Sequence, residues 1–237
     1  MRLLGMIVRH LDRAEDLVVF LLCMAMFLAG VYGLYDSYLV YREANDSSIL
    51  KYKPGSKDNG NEEKEIQGNM VAWLTLDGTG IDFPVMQGET NTEYLNKTPF
   101  GEYSPSGSIF LDSRNSPDFR DGYSLVYGHH MEGGMMFGAL DAFLDRDFFD
   151  THKSGKLTVG EVSYPIRIFA VIEAEATNER VFAPTETDVS GTLGYIKRHA
   201  VFIDGDADVG GGKPILGMST CKYPDTVDRT VVFGVIE

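Results

Sequence analysis

Residues 214–236 read PILGMSTCKYPDTVDRTVVFGVI, two apolar runs separated by a polar, proline-bearing stretch. PILGMST (214–220) and TVVFGVI (230–236) are short and rich in apolar residues, and KYPDTVD between them carries the turn formers, so the stretch reads as strand, loop and strand. In an antiparallel hairpin the last residue of one strand and the first of the next face each other across the mouth, which sets Cys221 against Arg229. Toward the N-terminus the same signal recurs in VAWLTL (71–76), IDFPVM (81–86), GSIFLD (107–112), YSLVYG (123–128), KLTVG (156–160) and YPIRIFAVIEA (164–174). Short strands with Gly, Pro and Asp between them predict a mainly β fold, a closed antiparallel barrel or a sandwich. Helical periodicity enters as two insertions, MMFGALDAFLDRDFF (135–149) and VSGTLGYIKRHA (189–200).

Before the strands, Leu17 to Tyr35 runs LVVFLLCMAMFLAGVYGLY without a charge, long enough for a helix to cross the hydrocarbon core. A buried core helix would keep a polar stripe, and this segment is apolar all round. A cleaved signal peptide fits less well, because Asp12, Glu15 and Asp16 interrupt what would be a basic leader. Arg2, Arg9 and Arg13 precede the span and only Arg42 follows closely, a bias toward N-terminus in. The expected organisation is a cytoplasmic N-terminus (1–16), a transmembrane helix (17–35), an extracytoplasmic helix and linker (36–69) and a catalytic domain (70–237). The chain's net charge of −14 falls entirely after the span, which holds 18 basic and 32 acidic residues. With no Lys/Arg-rich block, that field repels polyanions and argues against nucleic-acid binding.

In this arrangement Cys23 lies in the membrane span and Cys221 is the only thiol of the exported domain. An unpaired cysteine in an oxidising compartment is either buried and inert or kept because its thiolate reacts. A guanidinium beside it would lower its pKa and could donate to an oxyanion; the competing reading pairs Arg229 with Asp225 or Asp228 at the surface, and spacing alone does not decide between them. A cysteine nucleophile also needs a proton acceptor. His10 falls on the cytoplasmic side, and His152 and His199 read as solvated residues near helix ends. His129 instead closes the apolar strand YSLVYG and is held on a rigid element, with His130 directed to the opposite face.

YGHHMEGGMMFGAL (127–140), MSTC (218–221) and an Arg eight positions after the Cys together resemble the sortases, and within them class B. AWLTLDGTGIDFPVMQG (72–88) and the stretch from NTEYLN to GSIFLDSRN (91–115) extend the resemblance over most of 70–237. It implies a closed eight-stranded barrel and a cysteine transpeptidase of Gram-positive bacteria that needs no cofactor. Such an enzyme cleaves a C-terminal sorting-signal peptide of an exported protein through a thioester and passes the acyl group to a cell-wall peptide amine or its lipid-linked precursor. Cys221 matches the nucleophile, His129 the general acid and base, and Arg229 the residue that positions substrate and stabilises the oxyanion. Asn91, Leu95, Tyr127 and Ser219 match positions lining the substrate groove, and the segment 176–213 matches a helix-bearing loop that shapes a groove wall. One departure is Tyr223, where some class B members carry an acid two positions after the Cys; here Asp225 lies two further on. DGDADVGGG (204–212) resembles the start of a calcium loop, but its twelfth position is Ile215 where a bidentate Glu is needed, so no metal is expected.

Three other readings compete. A plain cysteine protease would let water resolve the thioester. A pilin-polymerising sortase would use a lysine of another subunit. A non-catalytic, membrane-anchored barrel would bind a cell-wall component and keep Cys221 as a structural thiol.

Overall fold

A computed structural model describes residues 2–44, 47–56, 66, 69–185, 188–209, 211–221 and 228–237, with side chains from Glu15 onward and without that of Cys221. The chain divides into two compact units, Met1–Glu43 and Ala44–Glu237. The first consists of nearly all of helix α1 (Arg2–Ala44). It is the one helix among the described residues long and apolar enough to cross a membrane, and its Leu17, Phe20, Leu22 and Phe27 side chains are exposed. The linker expected at 54–69 lies largely outside the described residues.

The second unit is built on nine strands: β1 (Met70–Leu76), β2 (Asp82–Met86), β3 (Ile109–Leu111), β4 (Tyr123–Gly128), β5 (Ser154–Val159), β6 (Val162–Glu175), β7 (Ala200–Ile203), β8 (Ile215–Cys221) and β9 (Asp228–Ile236). Their order is β5-β1-β2-β3-β4-β8-β9-β6-β7, and β5 also pairs with β6, so eight strands close into a barrel and β7 hangs on β6 as a ninth. Closure removes the exposed edges that an open sheet would leave. The barrel is mixed rather than all antiparallel, because β2 runs parallel to β3 and β4 parallel to β8. Those partners are joined by long excursions, as parallel connections require.

Both faces of the central strands are buried, which is why YSLVYG is apolar at successive positions. Val126, Met218 and Val232 point into the barrel core with Leu74, Phe137 and Ile168. Tyr123, Leu125, Val231 and Phe233 belong to a second core, covered outside the barrel by α3 (Glu179–Phe182) and α4 (Val189–His199) through Val181 and Ile196. The helical insertion expected over 135–149 is split into a 3-10 helix, Phe137–Leu144, and a short α2, Arg146–Thr151. Asp145 makes the break: its backbone is extended and its carboxylate caps α2 by accepting from the Phe148 amide. The insertion at 189–200 ends one residue early, and β7 starts at Ala200.

Candidate active site

β8 and β9 pair antiparallel along their whole length, and their outermost register pair is Cys221 with Arg229. β4 lies on the other side of β8, in parallel, with Tyr127 opposite Ser219 and Gly128 opposite Thr220. One step further along these two strands come His129 and Cys221. Three neighbouring strands thus bring the backbones of His129, Cys221 and Arg229 to one end of the sheet, Cys221 and Arg229 as a register pair and His129 directly after the last paired residue of β4. The approach of β4 to its neighbours depends on Gly128, where a Cβ would meet the side chains of Ile109 at 2.5 Å and Phe137 at 2.7 Å.

His129 is half-buried, and its Nε2 lies 2.7 Å from the Leu95 carbonyl oxygen. A carbonyl only accepts, so Nε2 carries the hydrogen and Nδ1 is the lone-pair nitrogen of the neutral ring. Leu95 therefore orients the imidazole through its main chain, a contact that side-chain reasoning from sequence had no means to find. The carbonyl belongs to the 3-10 helix Glu93–Asn96, which is backed by Gly107 at φ 58°, where a Cβ would lie 2.7 Å from the Tyr94 carbonyl oxygen. The other histidines lie elsewhere. His152 caps the C-terminus of α2 and stacks on Phe148, and His199 ends α4 with its Nδ1 2.9 Å from the Tyr195 carbonyl oxygen.

Arg229 is half-buried and opposite Ala174 of β6 as well as Cys221. Beside that pair a cavity of about 580 Å³ opens, lined by Glu173, Glu175, Asp228, Thr177, Asn178 and Tyr195. Its carboxylates give the approach to Arg229 a negative potential. Lys222–Val227, including Tyr223 and Asp225, lie outside the described residues.

Next to this end of the sheet, a buried carboxylate that the sequence did not flag organises the surroundings. Asp112, fully buried, accepts from Arg114 Nε (2.9 Å) and Nη2 (2.8 Å), from the Arg114 amide (3.0 Å), from Asn91 Nδ2 (2.9 Å) and from the Tyr127 hydroxyl (2.9 Å). Burial alone would raise its carboxyl, but the Arg114 side chain, the Arg114 amide and the Tyr127 hydroxyl outweigh it and hold the group below the ordinary carboxylate range. Tyr127 moves the other way: burial first, and then the Asp112 charge, keep its phenol protonated far above neutral pH. Asn91 is engaged at both ends, since its Oδ1 also accepts from the Ser113 amide at 2.7 Å. Arg114 continues outward to the Phe182 carbonyl at 2.6 Å, tying this network to α3. Ser219, by contrast, is buried with a hydroxyl that has no hydrogen-bond partner among the described residues. The signal for Asp112 was present in LDSRN, an acid closing an apolar strand with an arginine two residues on.

The sortase domain family matches residues 74–237 of the chain. Sortase B of Listeria monocytogenes is 33% identical over 190 residues, covering 78% of this chain and 75% of that protein. Among solved structures, a Streptococcus pyogenes class B sortase involved in pilus biogenesis superposes with a TM-score of 0.67 and 40% identity, over 73% of this chain and 94% of the other. A Staphylococcus aureus sortase B–substrate complex gives 0.66 and 31%, over 73% and 81%. The barrel, the order of its strands and these likenesses together make the chain a member of the sortase family, with class B sortases as its relatives.

Proposed function

We propose that the protein is a cysteine transpeptidase that cleaves sorting-signal peptides and transfers the acyl group to a cell-wall amine. The observation that carries this reading is the register across three strands, which puts Cys221 on β8 between the end of β4, where His129 follows Gly128, and Arg229 on β9. In this reading His129 Nδ1 takes the Cys221 thiol proton, the resulting thiolate attacks the scissile carbonyl, and the Arg229 guanidinium donates to the oxygen on which negative charge develops. His129 gives a proton to the departing amine as the tetrahedral adduct collapses to a thioester. The incoming amine then attacks the thioester, His129 takes a proton from it, and the thiolate leaves. In this reading the peptide passes Asn91, Leu95, Tyr127 and Ser219, the last of them buried beneath the surface, and a sorting-signal substrate accords with the likeness to a sortase B that was solved with substrate. An amine acceptor is cationic until it gives up one proton to water to become the nucleophile, and the acidic cavity beside Arg229 has the sign that attracts it.

The N-terminal helix is the anchor in this account, with the N-terminus inside the cell and the barrel outside, as its flanking arginines favour. A second reading, polymerisation of pilin subunits through a lysine amine, is favoured by the 40% identity to a class B sortase involved in pilus biogenesis.

The experiment is intact-mass spectrometry of the full chain in detergent with candidate sorting peptides, followed by addition of an amine. An acyl adduct that maps to Cys221 and is released as a ligated product supports the transpeptidase, and release by water alone with amine present points to a protease. Ladders of crosslinked subunits, when pilin proteins are supplied, would select the polymerising enzyme. A Cys221 that never acylates would leave the non-catalytic barrel.

A further inference from the structure

We propose that Asp141 is a positioning residue for the His129–Cys221–Arg229 site, holding it from the opposite face of the sheet through His130 and Thr230. The inference rests on the transpeptidase reading above. Asp141 lies on the 3-10 helix Phe137–Leu144, which packs Phe137, Leu140 and Phe143 into the barrel core. One carboxylate oxygen, Oδ2, is 2.9 Å from His130 Nε2, and the other, Oδ1, accepts from the Thr230 hydroxyl at 2.8 Å. His130 follows His129 directly, and Thr230 follows Arg229. Thr230 is fully buried and paired across the ladder with Thr220, the residue before Cys221. Asp141 thus grips the residues that directly follow His129 and Arg229.

The rest of the connection is equally short. The Phe137 amide, at the start of the same 3-10 helix, donates to the His129 carbonyl at 3.0 Å, and His130 forms an isolated bridge with Met136. Met136 is buried with φ 50° and ψ −129°, a conformation that is costly for a residue with a side chain and persists only where its surroundings impose it. The loop from His129 to Asp141 is therefore fixed to its own strand at one end and, through a carboxylate with one oxygen for each arm, to β9 at the other. A carboxylate that accepts one hydrogen bond from each arm ties the two backbones to each other. Misplacement of a reacting group by about 1 Å costs on the order of a hundredfold in rate.

The full chain in detergent, with substrate peptide and amine, tests this through a threonine pair. Thr230→Val removes the hydroxyl at nearly constant volume, whereas Thr230→Ser keeps it. Expected are a fall in kcat of about tenfold or more for Thr230→Val and Asp141→Ala with KM within about twofold, near wild-type turnover for Thr230→Ser, and a double variant no slower than Asp141→Ala. Wild-type kcat in Thr230→Val, or an equal loss in Thr230→Ser, overturns the proposal. A second readout is independent of turnover. In protein labelled with ¹⁵N-histidine, Thr230→Val touches neither His129 nor Leu95, yet it should shift or broaden the His129 ring resonances while the barrel amides stay in place. Unmoved His129 signals overturn the proposal whether or not the protein turns over. Absence of any acyl-enzyme in wild type would instead remove the transpeptidase reading, and the ring signals alone would then decide the role of Asp141. Should Asp141→Ala fail to fold, the Val and Ser variants carry both readouts.

Discussion

Asp112 accepts five hydrogen bonds beside the site, from Arg114, Asn91 and Tyr127. Its folded pKa is held below the ordinary value, so the charged form is the one its partners stabilise. That contribution is fully present above the unfolded carboxyl value near 3.8 and is lost as pH falls through the lower folded value. Asp112→Asn should therefore lose stability relative to wild type at pH 7, with the gap narrowing in acid melts taken below pH 3.8. A gap constant with pH would show that the charge is not what matters. Ser124, in the barrel wall, is the opposite case: its buried hydroxyl has no hydrogen-bond partner among the described residues. Ser124→Ala removes a desolvated group that gains nothing, and should be neutral or stabilising by up to about 1 kcal/mol in denaturant unfolding. At Arg229 the expectation follows from shape as well as charge. Arg229→Lys keeps the cation but not the planar fork, and should cut the rate of acyl-enzyme formation at least about tenfold without loss of folding.

Among the elements, the turn around Gly107 and the 3-10 helix Glu93–Asn96 behave as one support for His129. Gly107 has φ 58° and abuts the Tyr94 and Leu95 carbonyls, so any Cβ there displaces the oxygen that orients the imidazole. Gly107→Ala should destabilise the fold by about 1–3 kcal/mol and also weaken turnover, whereas Leu95→Ala, which leaves the main-chain carbonyl in place, should keep the His129 tautomer. Nitrogen chemical shifts of the His129 ring check both. Several elements were legible in advance because their signals are local. YSLVYG has the bounds read for it, and the apolar runs around PILGMST and TVVFGVI became β8 and β9. β7 was not, since its four residues follow the last turn of α4 and alternate too briefly to outweigh the helical pattern before them. The single helix read at 135–149 failed for a related reason: apolar spacing continues across Asp145, and only the capping hydrogen bond to Phe148 reveals the break.

The whole molecule combines a helical unit, Met1–Glu43, with a barrel unit, Ala44–Glu237, whose two larger apolar clusters fill the barrel and cover its outer face. A barrel with both faces buried has what it needs to fold without the first 43 residues. Removing them should leave its melting temperature within about 4 °C, equivalent to roughly 1 kcal/mol for a domain of this size. Calorimetry of residues 44–237 beside the full chain in detergent checks this, and a larger drop would show that the barrel depends on the helix. Sequence alone was sufficient for the β class, for the apolar N-terminal span and for the Cys221–Arg229 hairpin. Each is written in side chains that lie close along the chain, in periodicity, charge and turn chemistry. The parallel pairing of β4 with β8, the closure of β5 on β6, the Leu95 carbonyl on His129, and the Asp112 and Asp141 networks were settled only by folding. They join residues separated by tens of positions, through main-chain atoms or carboxylates whose partners no local pattern specifies, and burial in the closed barrel is what brings them within hydrogen-bond reach.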